Sequence, residues 1–100
     1  MKTYTLIRTN QFDENLRALI SYIKSENPVN ASVFLEGVFE AIDAIALFPE
    51  KGMEIGPRIR LKLYKGYWVP YHIDGLNIYI LDILHPRQNT KARTYCFPLN

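Results

Sequence analysis

His85, Pro86 and Arg87 follow directly on an apolar, β-branched run, Ile78, Ile80, Leu81, Ile83 and Leu84. A histidine titrates near neutrality and can move protons, and an arginine can stabilise charge that builds on a phosphate during transfer. Arg58, Arg60 and Lys62 alternate along an earlier stretch, and Lys91, Arg93 and Tyr95 come after the histidine. One chemistry this set allows is phosphodiester cleavage, with His85 as general acid–base and Arg87 or Arg60 stabilising a pentavalent phosphate. No carboxylate accompanies His85, because Asp82 lies three residues back on the opposite strand face. A strand-end histidine also commonly does no more than hydrogen-bond a local carbonyl. The other chemistry is recognition without catalysis. Cations interleaved with Tyr64, Tyr67, Trp68, Tyr71, Tyr79 and Tyr95 suit a phosphate backbone with stacked bases, although the core must claim a share of these rings.

Charge distribution points the same way. Residues 1–50 carry four Lys/Arg and seven Asp/Glu, net −3, whereas residues 51–100 carry eight and three, net +5. A basic half suggests an anionic partner, either nucleic acid or an acidic protein segment. Other function classes find no support. The sequence has no P-loop, no Gly-x-Ser-x-Gly, no paired-carboxylate motif and no dinucleotide fingerprint, so no cofactor is expected. His72, His85 and Cys96 are the only soft ligands, too few for a structural zinc site, and one cysteine excludes an internal disulfide. The N-terminus lacks the apolar core of a signal peptide, and no apolar run approaches the roughly 20 residues needed to span a bilayer. The expectation is a cytoplasmic protein whose 100 residues form one domain.

The elements that must position these residues read as follows. Tyr4 to Arg8 is a short strand. Thr9 or Asn10 caps a helix over about 12–25, with Phe12, Leu16, Leu19, Ile20 and Ile23 on one face. Asn27-Pro28 ends that helix and starts a second, running to about Phe48. Its buried stripe is expected to include Ala31, Phe34, Leu35, Val38, Ala41, Ile42, Ile45 and Phe48, with Glu36, Glu40 and Asp43 in solvent. Pro49 to Pro57 reads as a long, exposed, mobile connection. Arg58 to Tyr64 alternates, so Ile59, Leu61 and Leu63 are expected against the helices, with Arg58, Arg60 and Lys62 in a row on the opposite face. After a turn at Lys65-Gly66, Tyr67 to Ile73 is a strand in which Pro70 implies a bulge or an unpaired edge. Asp74-Gly75 is a hairpin signal leading into the central strand, buried on both faces and stopped by Pro86. Residues 90–100 show no clear period. The order β-α-α-β-β-β defines an α+β domain, a helical hairpin on one face of a mainly antiparallel sheet.

Taken together the pattern resembles the RelE/ParE superfamily of type II toxin–antitoxin toxins, and most closely its ParE branch. The likeness runs through Phe12…Leu16…Ile20…Tyr22-Ile23, Asn27-Pro28…Ala31 and Phe48-Pro49-Glu50-Lys51-Gly52. It continues through Arg60, then Tyr67-x-Val69-x-Tyr71-x-Ile73-Asp74-Gly75, and ends with Ile80-Leu81-x-Ile83-Leu84-His85-x-Arg87-Gln88-Asn89. The resemblance implies a small cytoplasmic toxin neutralised by an antitoxin encoded beside it. ParE-like members poison DNA gyrase by binding it. RelE-like members cleave mRNA on the ribosome, which here would engage Arg60, Lys62, Arg87 and Arg93 with His85 or Tyr95. Trp68 and Asp82 stand where many relatives are basic, which favours the binding branch. A relative that only binds its antitoxin is the third reading. Under the first and third, Arg58, Arg60, Lys62, Arg87, Lys91 and Arg93 are the expected partner-binding set.

Overall fold

Asn27 organises the helical layer of the computed structural model, which describes residues 3–85. Its backbone N–H closes helix α1 (Asn10–Glu26) on the Ile23 carbonyl at 2.7 Å. Its side-chain oxygen accepts from Val29 and Asn30 N–H at 3.0 and 3.2 Å, opening α2 (Pro28–Leu47) with Pro28 in the first turn. One asparagine thus terminates two helices, and the tight junction forces them antiparallel. Asn27→Ala should lower the unfolding free energy by about 1 kcal/mol, read as a lower urea midpoint at unchanged slope.

Thr9 does the corresponding work at the other end of α1. Its hydroxyl accepts from Phe12 N–H at 3.3 Å and donates to the Ile80 carbonyl at 2.8 Å, so the cap also ties the helix to the sheet. Among the described residues the sheet has five strands: β1 (Thr5–Arg8), β2 (Met53–Gly56), β3 (Ile59–Tyr64), β4 (Tyr67–Asp74) and β5 (Asn77–Ile80). Their order is β1-β5-β4-β3-β2, with only the β1–β5 pair parallel. The domain is α+β with the expected element order, plus one additional strand, β2. Phe12, Leu16, Phe34, Val38, Ile42 and Ile45 from the helices pack on Val69, Tyr71, Ile78, Ile80 and Ile83 from the sheet side. β5 lies between β1 and β4, and the buried run continues past it through Leu84, which bridges to Trp68.

Pro70 sits inside β4, and the expected bulge lies beside it. From the Tyr71–Ile80 pair to the Trp68–Leu84 bridge, β4 advances three residues and its partner four. Trp68 N–H and the Pro70 carbonyl both point to this side, bonding Leu84 and Leu81. The missing proline N–H therefore falls where the partner strand bows away, and no ladder bond is lost.

Three expectations need correction. The stretch 49–57 is not a plain mobile loop, since Pro49–Lys51 forms a 3-10 turn and Met53–Gly56 forms β2. Met53, Glu54 and Ile55 are all exposed, so this edge strand carries no alternating signal. Phe48 is 57% exposed instead of part of the buried stripe, because α2 ends at Leu47 and the ring lies past its last turn. The faces of β3 are also the reverse of the expectation. Tyr64 packs on Phe34 of α2 with ring centroids 5.4 Å apart, and Arg60 and Lys62 share its face. Ile59 and Leu61 are buried on the side away from the helices, and Leu63 there is 60% exposed. Alternation marks two faces but does not say which one the helices cover.

Candidate partner-docking surface

Arg60 and Tyr71 are cross-strand partners on the helix-facing side of the sheet, and together they moor the chain that follows α2. Arg60 Nη1 donates to the Glu50 and Gly52 carbonyls at 3.0 and 2.8 Å. The Tyr71 hydroxyl donates to the Pro49 carbonyl at 2.6 Å and accepts from Gly52 N–H at 3.1 Å. Burial pushes the Tyr71 phenol above its ordinary range, while the Gly52 N–H and the Arg60 charge pull the other way. In the unfolded chain this phenol ionises near pH 10, while the fold keeps it protonated to higher pH. The folded state then binds more protons, so the Tyr71 contribution is intact below pH 10 and falls as pH rises beyond it. Denaturation between pH 8 and about 11 should show this loss, and Tyr71→Phe should flatten it.

This mooring leaves an open groove on the same face. It has a volume of about 460 Å³ and lies between the C-terminal half of α2 and β3. Ala44, Ile45, Phe48 and Tyr71 contribute its walls, β3 borders it from Leu61 to Leu63, and Lys51 and Lys62 are the only charged lining residues among those described. The Lys51 ammonium stands 4.7 Å from the Phe48 ring centroid. Met53 and Leu63 at the rim, and nearby Leu47, are largely exposed. The sheet extends beyond the cover of the two helices here, which leaves apolar surface open to water. An apolar trough edged by cations matches a partner segment with apolar anchors and acidic neighbours.

The other sequence candidates are dispersed. Arg58 lies in the β2–β3 turn at φ +59°, where its carbonyl accepts from Ile73 N–H at 3.1 Å and sits 3.0 Å from His72 Nδ1. His85 is half-buried, edge-on to Tyr67 with centroids 5.3 Å apart, beside a cleft of about 180 Å³ against α1. Tyr67 and Tyr71 are four residues apart along β4, roughly 13 Å of strand. Arg60 and His85, which neighbour opposite ends of that interval, are not brought to one phosphate-sized site. Buried Asp82 accepts from Ile83 N–H at 2.8 Å and from the Asn15 side chain, which secures the bulge to α1. Arg87, Lys91, Arg93 and Tyr95 lie outside the described residues, as does the stretch 90–100. Within the described residues no cluster of three or more metal-binding side chains occurs, and no helix is long and apolar enough to cross a membrane.

A helical hairpin on one face of a five-stranded mixed sheet, in the order β1-β5-β4-β3-β2, is the fold of ParE-type toxins. The family model for the ParE toxin of the type II toxin–antitoxin system, parDE, matches residues 6–90, and the chain belongs to that family. Among solved structures it is similar to the chromosomal ParDE toxin–antitoxin system from P. aeruginosa. That match has a TM-score of 0.73 and 18% identity, and covers 83% of this chain and 96% of the other. No curated protein sequence gives a significant match.

Proposed function

We propose that this toxin acts in the cytoplasm by binding DNA gyrase, without catalysis of its own, and is neutralised by an antitoxin segment seated in the α2–β3 groove. The groove carries the antitoxin part of this reading: about 460 Å³ of largely apolar trough whose lining, among the described residues, includes two lysines and no carboxylate. Gyrase as target rests on the ParE family. Binding in preference to RNA cleavage is supported by the dispersal of the described cations and His85, with Arg60 spent on two backbone carbonyls. Purified toxin at micromolar concentration should inhibit gyrase supercoiling and accumulate cleaved DNA, and the antitoxin encoded beside it should restore supercoiling. Normal supercoiling together with new codon-associated 5′ ends on translated mRNA would overturn the gyrase reading in favour of an endoribonuclease. Harmless unrestrained expression would instead leave only antitoxin binding.

A further inference from the structure

A second basic-edged cleft lies at the other flank of the helical layer. It has a volume of about 250 Å³ and is formed where α1, α2 and β1 meet. Leu16, Ile20 and Leu35 give it an apolar lining, and Arg8, Asp13 and Arg17 supply its charge. Arg8 makes two contacts at the mouth of the cleft. Its Nε lies 3.5 Å from Asp13 Oδ1, and its guanidinium carbon stands 5.3 Å from the Phe39 ring centroid. The contact with Asp13 uses Nε and the contact with Phe39 places the guanidinium over the ring, so both fix the group at the mouth of the cleft. A guanidinium is a fork of donors whose geometry matches a carboxylate, so a further acidic side chain can pair with Arg8 here. Arg17, one helical turn beyond Asp13, is exposed and adds a second cation at the same mouth.

We propose that this cleft is a second seat for the same antitoxin. It takes one acidic side chain between Arg8 and Arg17, with an apolar side chain against Leu16, Ile20 and Leu35. The inference rests on the neutralisation reading above. The charge balance selects the occupant. Two guanidiniums against one carboxylate leave a single positive charge, which suits one acidic residue. Glu36 and Glu40, the exposed neighbours of Leu35 and Phe39 on α2, add negative charge that opposes a polyanion such as nucleic acid. The apolar floor requires a partner with an apolar anchor. The groove borders β3 and this cleft borders β1, with β4 and β5 between those strands, so the two seats flank α2. An antitoxin reaching both straddles the helix, and each seat raises the effective concentration at the other.

The test uses the full-length toxin, the full-length antitoxin encoded beside it, and three charge reversals: Arg17→Glu, Lys62→Glu and, outside both seats on α1, Lys24→Glu. Arg17→Glu should leave the melting temperature unchanged, weaken antitoxin binding about tenfold or more in calorimetry, and slow association in stopped flow. Lys24→Glu should change affinity much less. An Arg17→Glu effect no larger than that of Lys24→Glu overturns the second seat, and a loss with Lys62→Glu in the same experiment leaves the groove reading standing. Failure of the wild-type pair to bind overturns both. If Arg17→Glu instead abolishes binding of a double-stranded DNA oligomer and leaves antitoxin binding intact, the cleft serves nucleic acid and the proposal is wrong.

Discussion

Gly52→Ala should destabilise the protein by about 3 kcal/mol, more than any surface change of comparable size. A Cβ at this position would lie 2.3 Å from the Tyr71 hydroxyl oxygen, 2.9 Å from its ring carbon and 3.0 Å from the Leu61 carbonyl. Tyr71 is 1% exposed and packs in the core, so moving it disturbs its neighbours. Displacing it breaks its bonds to Pro49 and Gly52 and leaves a buried carbonyl and N–H unsatisfied, which costs about 1–3 kcal/mol in addition to the steric term. For a domain of this size the melting temperature should fall by roughly 10 °C or more. Tyr71→Phe removes both the hydrogen bonds and the atom that the Cβ would strike. Adding Gly52→Ala to Tyr71→Phe should therefore cost clearly less than adding it to the native protein. Strict additivity in that double-mutant cycle would mean that the Gly52–Tyr71 contact does not govern this corner.

Ala44→Trp should lower antitoxin affinity about 100-fold. Ala44 lines the groove from α2 and is half-buried, so an indole there fills space an incoming apolar anchor would need. Contacts of this kind, dry and central, commonly account for 2 kcal/mol or more of an interface. Lys62→Glu should act differently, slowing association and changing its salt dependence, because exposed ion pairs typically contribute ~0–1 kcal/mol and act mainly through steering. Stopped-flow at two salt concentrations separates the effects: the tryptophan should mainly raise the dissociation rate, and the glutamate should lower the association rate. Unchanged affinity in Ala44→Trp at native melting temperature would remove the groove from consideration.

The parts of this fold that were legible are those written locally. Asn27-Pro28 serves as the double cap that its residue types suggest, Thr9 caps α1, and Asp74-Gly75 turns β4 into β5 with Gly75 at φ +62°. Pro70 marks a true bulge because the proline constraint is itself local. What the residues did not reveal depends on distant neighbours. The orientation of β3 is set by where α2 crosses the sheet, and alternation is symmetric to that choice. Arg60 looked like a free cation because its two carbonyl partners lie 10 and 8 residues away in a turn with no periodicity. Of the expected site, Lys62 does border the groove, whereas Lys51 and Phe48 join it only because the 3-10 turn brings them back beside β3. Only the Phe48-Pro49-Glu50-Lys51-Gly52 run, noted for its resemblance and not for any chemistry, pointed to that corner.

The parallel pairing of β1 with β5 has a consequence in time. β1 begins at Thr5, yet its partners run from Asn77 to Ile80, and the Thr9 hydroxyl that anchors α1 bonds to Ile80 and Leu81. Among the described strands, the first to be synthesised is therefore the last able to dock, while the helical hairpin and the β3–β4 hairpin can form from near neighbours beforehand. Until Ile80 and Leu81 are available, the Thr9 cap of α1 has no sheet partner, and the layer that flanks both clefts cannot be finished. A chain that stops before β5 would thus hold helices without either cleft assembled, so the fold ties both clefts to the synthesis of residues 77–81.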